Sequence, residues 1–362
     1  MEIAFNGSDY HILKGVLSVV VSDIQPLTPK RRFMSALLGG RQDGRVPVGN
    51  PTSVISVEVM DKVGIYFPEA HLDAEMMAEL AATSHELLGY DTVTPYFSVQ
   101  QEAAALGGEV DWGGPNMMPA MRDHPMTPPE KIEISEALLE HPALKVVLDS
   151  LTILRKHYGD YVAVCGKVMG PWTLSYHVVG VEPFLMMILD DPDRVRRYLD
   201  VLKEMTIMFA RAQYQAGADL VTIADHATGD LVSPDTYRDF LIPVHREIIQ
   251  RVGGPNILHI CGQTIDRLEH FITAGFDCFH VESKVDIESA CQLVKGRMSL
   301  VGNINNPTTL LFGTPEDVRA DCIKAVDAGI DMLAAECAIP LTTPLANLRA
   351  IAETAEEYRR TK

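Results

Sequence analysis

The chain of 362 residues is predicted to be an α/β protein that forms a single (β/α)8 TIM barrel. Short apolar runs alternate with longer amphipathic stretches, and eight such pairs can be counted along the chain. This alternation is typical of a parallel sheet with crossover helices, and eight units are enough to close a barrel. No low-complexity linker divides the sequence, so we expect one domain.

The predicted strands are apolar runs at residues 46–51, 90–97, 161–169, 220–225, 257–261, 278–282, 299–303 and 332–337. The predicted helices lie near residues 70–88, 134–157, 192–216, 234–252, 265–274, 287–295, 315–328 and 344–358. Gly217, Gly275 and Gly329 each follow a helix and precede a strand, where glycine commonly ends a helix. Residues 111–129 are rich in Gly, Pro and Met and are predicted to be a long loop at the barrel mouth.

The composition excludes several functional classes. A net charge of −18 argues against binding to nucleic acid or to anionic membranes, although an acidic surface can meet a basic protein partner. The six cysteines are too sparse for a disulfide scaffold, which favours a reducing, cytoplasmic location. The apolar segment 15–24 is too short to span a bilayer.

His259, Cys261 and Cys337 are the strongest functional signal in the sequence. His259 and Cys261 stand two positions apart at the end of one predicted strand, so their side chains point to the same face. Cys337 ends another predicted strand. One imidazole and two thiolates are a good ligand set for Zn²⁺, and three protein ligands leave a fourth position for a substrate. Buried cysteines without a metal are also common.

The position of these residues in the predicted barrel strengthens the metal hypothesis. Active sites of such barrels lie at the C-terminal ends of the strands, where all three residues fall. Asp225, Glu282 and Asn303 also follow predicted strands at that end. The sequence therefore predicts a zinc site among polar side chains at the barrel mouth.

Three segments closely resemble the methylcobamide:coenzyme M methyltransferases of the uroporphyrinogen decarboxylase superfamily. They are Leu258-His259-Ile260-Cys261-Gly262, Leu300-Val301-Gly302-Asn303, and the run from Gly329 to Cys337 with Thr343-Pro344-Leu345 after it. The resemblance spans residues 28–362 and implies a barrel of the decarboxylase type. Residues 1–27 are then expected to be an N-terminal extension packed on the barrel.

The resemblance implies a zinc-dependent methyltransferase. Its substrate would be methylcob(III)alamin carried by a separate corrinoid protein, and its acceptor a small thiol such as coenzyme M. His259, Cys261 and Cys337 match the zinc ligands of that branch. No D-x-H-x-x-G corrinoid-binding run occurs in the chain, so the cofactor is expected to arrive on the partner.

Four further residues are candidates for the same site. Glu282 is assigned to catalysis, either as a reversible fourth zinc ligand or as a partner that orients His259. Asp225, Asn303 and Met169 are assigned to corrinoid binding, the last because Met169-Gly170-Pro171-Trp172 resembles a loop of the family. Purely local roles remain open, with Asp225 bonded to the loop that reaches Ser233 and Asn303 capping the next turn.

Two other enzymatic functions and one binding function are alternatives. A demethylase of the same systems would load the corrinoid, and a binding module would hold a corrinoid protein without turnover. Arg41-Gln42-Asp43-Gly44-Arg45 resembles the R-Q-A-G-R run of uroporphyrinogen decarboxylase. That enzyme also needs an aspartate after an F-S pair, where this chain has Val99. Without this acceptor the pyrrole N–H groups would be buried unpaired, at about 1–3 kcal/mol each, which argues against the decarboxylase.

Overall fold

Parallel strands form the centre of the molecule. The structure is a computed structural model that describes residues 27–40 and 44–358, so nearly all of the predicted extension 1–27 lies outside the described residues. The strands there are β1 (Thr92–Val93), β2 (Glu109–Asp111), β3 (Ala120–Asp123), β4 (Ala163–Met169), β5 (Leu220–Ala224), β6 (Asn256–His259), β7 (Cys278–Val281), β8 (Ser299–Ile304) and β9 (Met332–Ala335). Seven of them form one parallel sheet in the order β1-β4-β5-β6-β7-β8-β9.

The segment 47–49 closes this sheet into a barrel. On one side Leu333 of β9 donates its N–H to the carbonyl of Pro47 at 2.9 Å, and its carbonyl accepts from Gly49 at 3.0 Å. On the other side the N–H of Asp91, just before β1, donates to the carbonyl of Val48 at 2.6 Å. The predicted strand 46–51 is therefore present only as a single parallel bridge, between Val48 and Leu333. The predicted barrel is confirmed.

Helices cover the outside of the barrel. Those of seven residues or more are Pro29–Leu37, Val57–Val63, Ala74–Glu86, Pro142–Tyr158, Pro171–Val179, Val181–Asp190, Pro192–Ala216, Ile242–Val252, Leu268–Ala274, Ile287–Val294, Pro315–Ala328 and Leu345–Glu357. No single helix in the described part of the chain is long and apolar enough to cross a membrane. One pair, Pro171–Val179 with Val181–Asp190, passes that test jointly by length and composition, and it is bent by 108°.

The predicted loop 111–129 contains structure that the sequence did not indicate. β2 and β3 pair antiparallel, and Arg122 binds Asp111 across the hairpin at 3.0 Å. The turn needs Gly113, whose φ of +74° is left-handed and where an added Cβ would lie 2.1 Å from the carbonyl oxygen of Met117. Two strands this short leave little signal in the sequence, so the sequence did not predict the hairpin.

A repeated Gly-x-Asp motif ties the strands together at the bottom of the barrel. Each aspartate directly precedes a strand and accepts a backbone N–H near the start of the neighbouring strand or segment. The pairs are Val48 to Asp91 at 2.8 Å, Val164 to Asp219 at 3.0 Å, Asn256 to Asp277 at 2.9 Å and Leu300 to Asp331 at 2.9 Å. The glycine of each motif ends a preceding turn or helix with positive φ. The motif therefore joins the strands two by two.

Asp91 is the most buried of these aspartates. Its carboxylate accepts from Arg32 at 3.0 Å and from Arg45 at 2.7 Å, and Arg45 also pairs with Glu356. Above this layer an apolar plug fills the barrel, including Phe33 and Leu37 of the first helix. Arg45 therefore contributes to barrel closure through its ion pair with Asp91. Residues 41–43 of the decarboxylase-like run lie outside the described residues.

We expect Asp91→Ala to lower the free energy of unfolding by about 3–5 kcal/mol, because it removes the buried carboxylate that Arg32 and Arg45 share. Asp73→Ala is the control, since the carboxylate of Asp73 only caps helix Ala74–Glu86 at an exposed position, and its loss costs about 1 kcal/mol. Urea unfolding measures both. Equal losses in the two variants would contradict the role of Asp91 in closure.

Candidate metal centre

Three potential metal ligands converge at the C-terminal ends of β6 and β9. His259 ends β6, and Cys261 and Cys337 each lie two residues beyond the end of a strand. Nε2 of His259 lies 3.3 Å from Sγ of Cys261 and 3.3 Å from Sγ of Cys337, and the two sulfurs are 3.6 Å apart. The structure brings together the three residues that the sequence singled out.

These separations fit one face of a zinc tetrahedron. Zinc–sulfur bonds of about 2.3 Å and zinc–nitrogen bonds of about 2.0 Å place neighbouring ligand atoms about 3.5–3.8 Å apart. The three donor atoms lie within 4.8 Å of one another, and no other His, Cys, Asp or Glu of the described residues belongs to the group. The donor set therefore suits zinc and leaves one corner of the tetrahedron to a ligand from outside the chain.

The pKa values of the two thiols are shifted in opposite directions. A hydrogen bond from Cys261 holds the pKa of Cys337 well below its ordinary value, and the His259 ring acts in the same direction. The same contact with Cys337, together with burial, raises the pKa of Cys261. Without a metal the pair therefore shares one negative charge. A divalent cation would stabilise both thiolates.

Two buried imidazoles pack against each other at the site, with their planes tilted by 36°. The rings of His259 and His280 lie 4.5 Å apart between centroids. His280 donates from Nε2 to the carbonyl of Ala335 at 2.7 Å, and burial lowers its pKa to about 3, so the ring is neutral. No hydrogen-bond partner for Nδ1 of His259 is found among the described residues, so Glu282 does not orient this ring here.

Glu282 instead holds the loop that carries Cys261. Its carboxylate accepts the N–H of Gly262, the residue directly after Cys261, and Lys284 approaches it at 3.9 Å. Gly262 turns the chain with a φ of +87°, and an added Cβ would lie 2.3 Å from Oγ1 of Thr228. In this geometry Glu282 fixes the position of a sulfur ligand through the backbone.

Glu336 also holds loops beside the metal centre, and the sequence analysis did not identify it. Its carboxylate accepts from the N–H of Ser283 at 2.9 Å and from the N–H of Asn306 at 2.7 Å. It therefore ties the loops after β7 and β8 to the residue that precedes Cys337. Burial raises its pKa above the ordinary value. The only sequence signal was a carboxylate next to a predicted ligand.

Asp225 belongs to a buried network beside the metal centre. Its Oδ1 accepts the N–H of Thr173 at 2.7 Å, its Oδ2 lies 2.9 Å from Nε2 of His245, and Nδ1 of His245 meets the hydroxyl of Tyr237 at 2.6 Å. Gly170 allows this contact, since an added Cβ would lie 2.3 Å from Cγ of Asp225. The local partner is thus the start of helix Pro171–Val179, and not the loop that reaches Ser233.

The remaining candidates occupy different surroundings. Met169 is fully buried, its N–H donates to Glu102 at 2.9 Å, and its carbonyl accepts from Thr206 at 2.8 Å. Asn303 lies at the C-terminal end of β8, on the same strand face as Val301 of the interior plug. Neither Met169 nor Asp225 presents surface to a ligand in this structure, so their assignment to corrinoid binding stays a prediction.

Comparison with known proteins gives consistent matches over most of the chain. Residues 28–358 match the sequence model of the family described as uroporphyrinogen decarboxylase (URO-D). A methylated-thiol–coenzyme M methyltransferase of Methanosarcina mazei is 32% identical over 92% of this chain and 90% of its own. A methylcobamide:CoM methyltransferase of Methanosarcina barkeri is 35% identical over 91% of this chain and 98% of its own.

Solved structures agree with these matches. A methyltransferase from Methanosarcina mazei superposes with a TM-score of 0.88 at 34% identity, covering 92% of this chain and 99% of that one. By contrast, a uroporphyrinogen decarboxylase of Prochlorococcus marinus matches only 54% of this chain and 58% of its own, at 30% identity. The methyltransferases therefore resemble this chain over a much greater length.

We predict that the purified protein binds about one zinc ion per chain, as expected for one set of three convergent ligands. Cys261→Ala should lose the metal and keep the fold, because the site lies at the barrel rim. Cys291→Ala, on a helix away from the site, is the matched control and should keep it. Metal analysis measures the zinc content of each variant, and circular dichroism shows whether the variant is folded. Failure of the wild-type protein to bind added zinc would refute the metal centre.

Zinc binding at pH 8 should release about one proton from the two cysteines together, and not two. The reason is that the lowered pKa of Cys337 leaves it already a thiolate, whereas the raised pKa of Cys261 keeps its proton until the metal arrives. Calorimetry in buffers of different ionisation enthalpy counts the protons that zinc binding releases. Two protons from the cysteines would contradict the shared charge.

Two substitutions distinguish a role of Glu282 as a hydrogen-bond acceptor from a role as a metal ligand. Glu282→Ala should lower zinc affinity about 10- to 100-fold, the usual effect of losing a group that supports a ligand. Glu282→Gln should keep most of the affinity, because an amide oxygen still accepts the N–H of Gly262. Competition with a chromogenic chelator measures both. If both variants lose affinity equally, the carboxylate is itself a ligand.

Proposed function

Since the chain belongs to the uroporphyrinogen decarboxylase family, we propose that it is an enzyme that transfers a methyl group from a methylated corrinoid to a thiol. The observation that carries this proposal is the open His259–Cys261–Cys337 face at the barrel mouth, with one corner left for a sulfur ligand. Relatives that span most of the chain are named as methyltransferases of this chemistry. We also propose that the reaction takes place in the cytoplasm.

A thiol is mostly protonated at neutral pH, since its free pKa is about 8.5, and it attacks carbon poorly in that form. Zinc held by the three side chains would supply the Lewis acidity that converts the thiol into a bound thiolate. Two cysteine thiolates balance the charge of a divalent ion, so electron density remains on the acceptor sulfur. His259 and the loops held by Glu282 and Glu336 fix the position of that sulfur.

In the proposed transfer the acceptor sulfur attacks the methyl carbon of the corrinoid in line with the cobalt. A sulfur–carbon bond forms, the cobalt–carbon bond breaks, and its electron pair stays on the cobalt as cob(I)alamin. The thiol proton leaves to solvent when the thiolate forms. The chain supplies binding and orientation, and no covalent intermediate with the protein is needed.

We propose that a separate corrinoid protein presents the methyl group at the barrel mouth. The hairpin β2–β3 and the loop after it carry exposed methionines there, with Met117 57% and Met126 58% exposed. Methionine is flexible and polarisable, and it suits contact with a large ring or an irregular partner surface. A protein that only bound the corrinoid partner would need no open thiol-activating site.

Zinc-loaded protein mixed with methylcobalamin and a small thiol should produce cob(I)alamin, which is followed by its absorbance. Cys337→Ala should abolish the reaction, because it removes a ligand, and Cys291→Ala should retain it. The protein should not convert uroporphyrinogen to coproporphyrinogen, since Val99 stands where the decarboxylase has its aspartate. Absence of methyl transfer to every thiol tried would refute the function. So would decarboxylation at an enzymatic rate.

A further inference from the structure

A fully buried histidine packs directly against one of the metal-ligand candidates. His280 is on β7, two residues after Cys278 of the apolar plug, so its side chain points to the same inner face. In the strand register its neighbour on β6 is His259, and the centroids of the two rings lie 4.5 Å apart. An imidazole in this position is well placed to orient the ligand beside it.

The other ring edge of His280 bonds to the strand that leads to a second ligand. Its Nε2 lies 2.7 Å from the carbonyl oxygen of Ala335, which is two residues before Cys337. Since β8 stands between β7 and β9 in the sheet, this bond crosses one strand through the barrel interior. A carbonyl oxygen only accepts hydrogen bonds, so Nε2 of His280 carries a proton.

The bond to Ala335 also fixes the tautomer of His280. With one proton on Nε2, a second proton on Nδ1 would create a buried cation that no carboxylate of the described residues pairs with, which is costly in free energy. Nδ1 of His280 therefore offers a lone pair and acts as an acceptor. It is buried and has no hydrogen-bond partner within residues 27–40 and 44–358.

His259 offers the matching donor. Its Nε2 lies 3.3 Å from each of the two sulfurs, so Nε2 is the atom that can bind the metal. An imidazole that binds a metal is neutral, and its one proton then lies on the other nitrogen, Nδ1. This Nδ1 is also buried without a partner in the described part of the chain. The two packed rings thus bring an unused N–H and an unused lone pair together.

We propose that His280 positions the metal ligand His259 by accepting the Nδ1 proton of that ring on its own Nδ1. The χ2 preference of histidine is broad, so a modest rotation of the His259 ring about its Cβ–Cγ bond aligns the two nitrogens. A hydrogen bond at the second nitrogen holds a metal-binding imidazole in one tautomer and one orientation. This inference deepens the proposed function and rests on its metal centre.

A neutral acceptor suits this centre better than a carboxylate. Metal-binding histidines often donate to a carboxylate, which adds a negative charge next to the metal. Cys261 and Cys337 as thiolates already balance the charge of a divalent ion. A further anion would disfavour the binding of an incoming thiolate at the open corner. His280 orients the ring without adding charge.

Two substitutions separate the roles of the two ring nitrogens. His280→Gln keeps an N–H for the carbonyl of Ala335 but lacks the acceptor, so it should bind zinc about 10- to 100-fold more weakly. His280→Asn places an amide oxygen near the position of Nδ1 and should keep most of the affinity. Competition with a chromogenic chelator measures the affinity, and circular dichroism shows whether each variant is folded.

His85→Phe is the matched control. Nδ1 of His85 also donates to a backbone carbonyl, that of Tyr90 at 2.8 Å, but at the opposite end of the barrel, just before β1. This variant should bind zinc as tightly as the wild-type protein. An equal loss of affinity in His280→Gln and His280→Asn, or a greater loss in His280→Asn, would overturn the role of Nδ1 of His280.

Cobalt(II) in place of zinc tests the hydrogen bond in the wild-type protein by proton magnetic resonance. Thiolates carry no proton, so the slowly exchanging resonance that the metal shifts belongs to Nδ1 of His259. It should persist in water for the wild type and for His85→Phe, and be lost through exchange in His280→Gln. Its absence from the wild type would overturn the role of His280 and leave the methyltransferase standing. These results without methyl transfer to any thiol would overturn the function and leave the role of His280.

Discussion

Closure of the sheet is the constraint on which the site depends. His259 ends β6 and Cys337 follows β9, and two strands lie between β6 and β9 in the sheet. In a flat sheet three strand spacings would hold those positions about 14 Å apart. In the barrel, Nε2 of His259 and Sγ of Cys337 lie 3.3 Å apart. The curvature that unites them is maintained by the segment 47–49, which bonds to β9 on one side and to Asp91 on the other.

The hydrogen bonds and ion pairs that stabilise the barrel lie at one end of it, and the candidate metal ligands lie at the other. The bottom holds the Gly-x-Asp motifs and the ion pairs of Asp91, and the plug above them is apolar. The mouth holds polar groups that are only partly satisfied among the described residues, including Nδ1 of His259. Groups left without partners in an interior are destabilising, so their concentration at one end is the physical signature of a site.

The sequence predicted the barrel and the three metal ligands because both leave local signals. Apolar runs alternate with amphipathic ones, and His259 and Cys261 stand at strand spacing. The placement of Asp225 against Thr173 and His245 could not be predicted, since it depends on how a helix starts on a neighbouring strand. Gly217, Gly275 and Gly329 of the Gly-x-Asp repeats are predicted as helix ends, but the aspartates bond to neighbouring strands and leave no local signal.

The pairing of strands by aspartates also divides the barrel into four two-stranded units. Each unit carries its own bottom hydrogen bond, in addition to the pairing that joins all neighbouring strands of the sheet. A cut in the connection before β4 or before β6 leaves every such bond within one fragment, whereas a cut before β5 or β7 separates an aspartate from its N–H. The barrel can thus be regarded as an assembly of quarters, each a natural module for fragment complementation and for recombination among relatives.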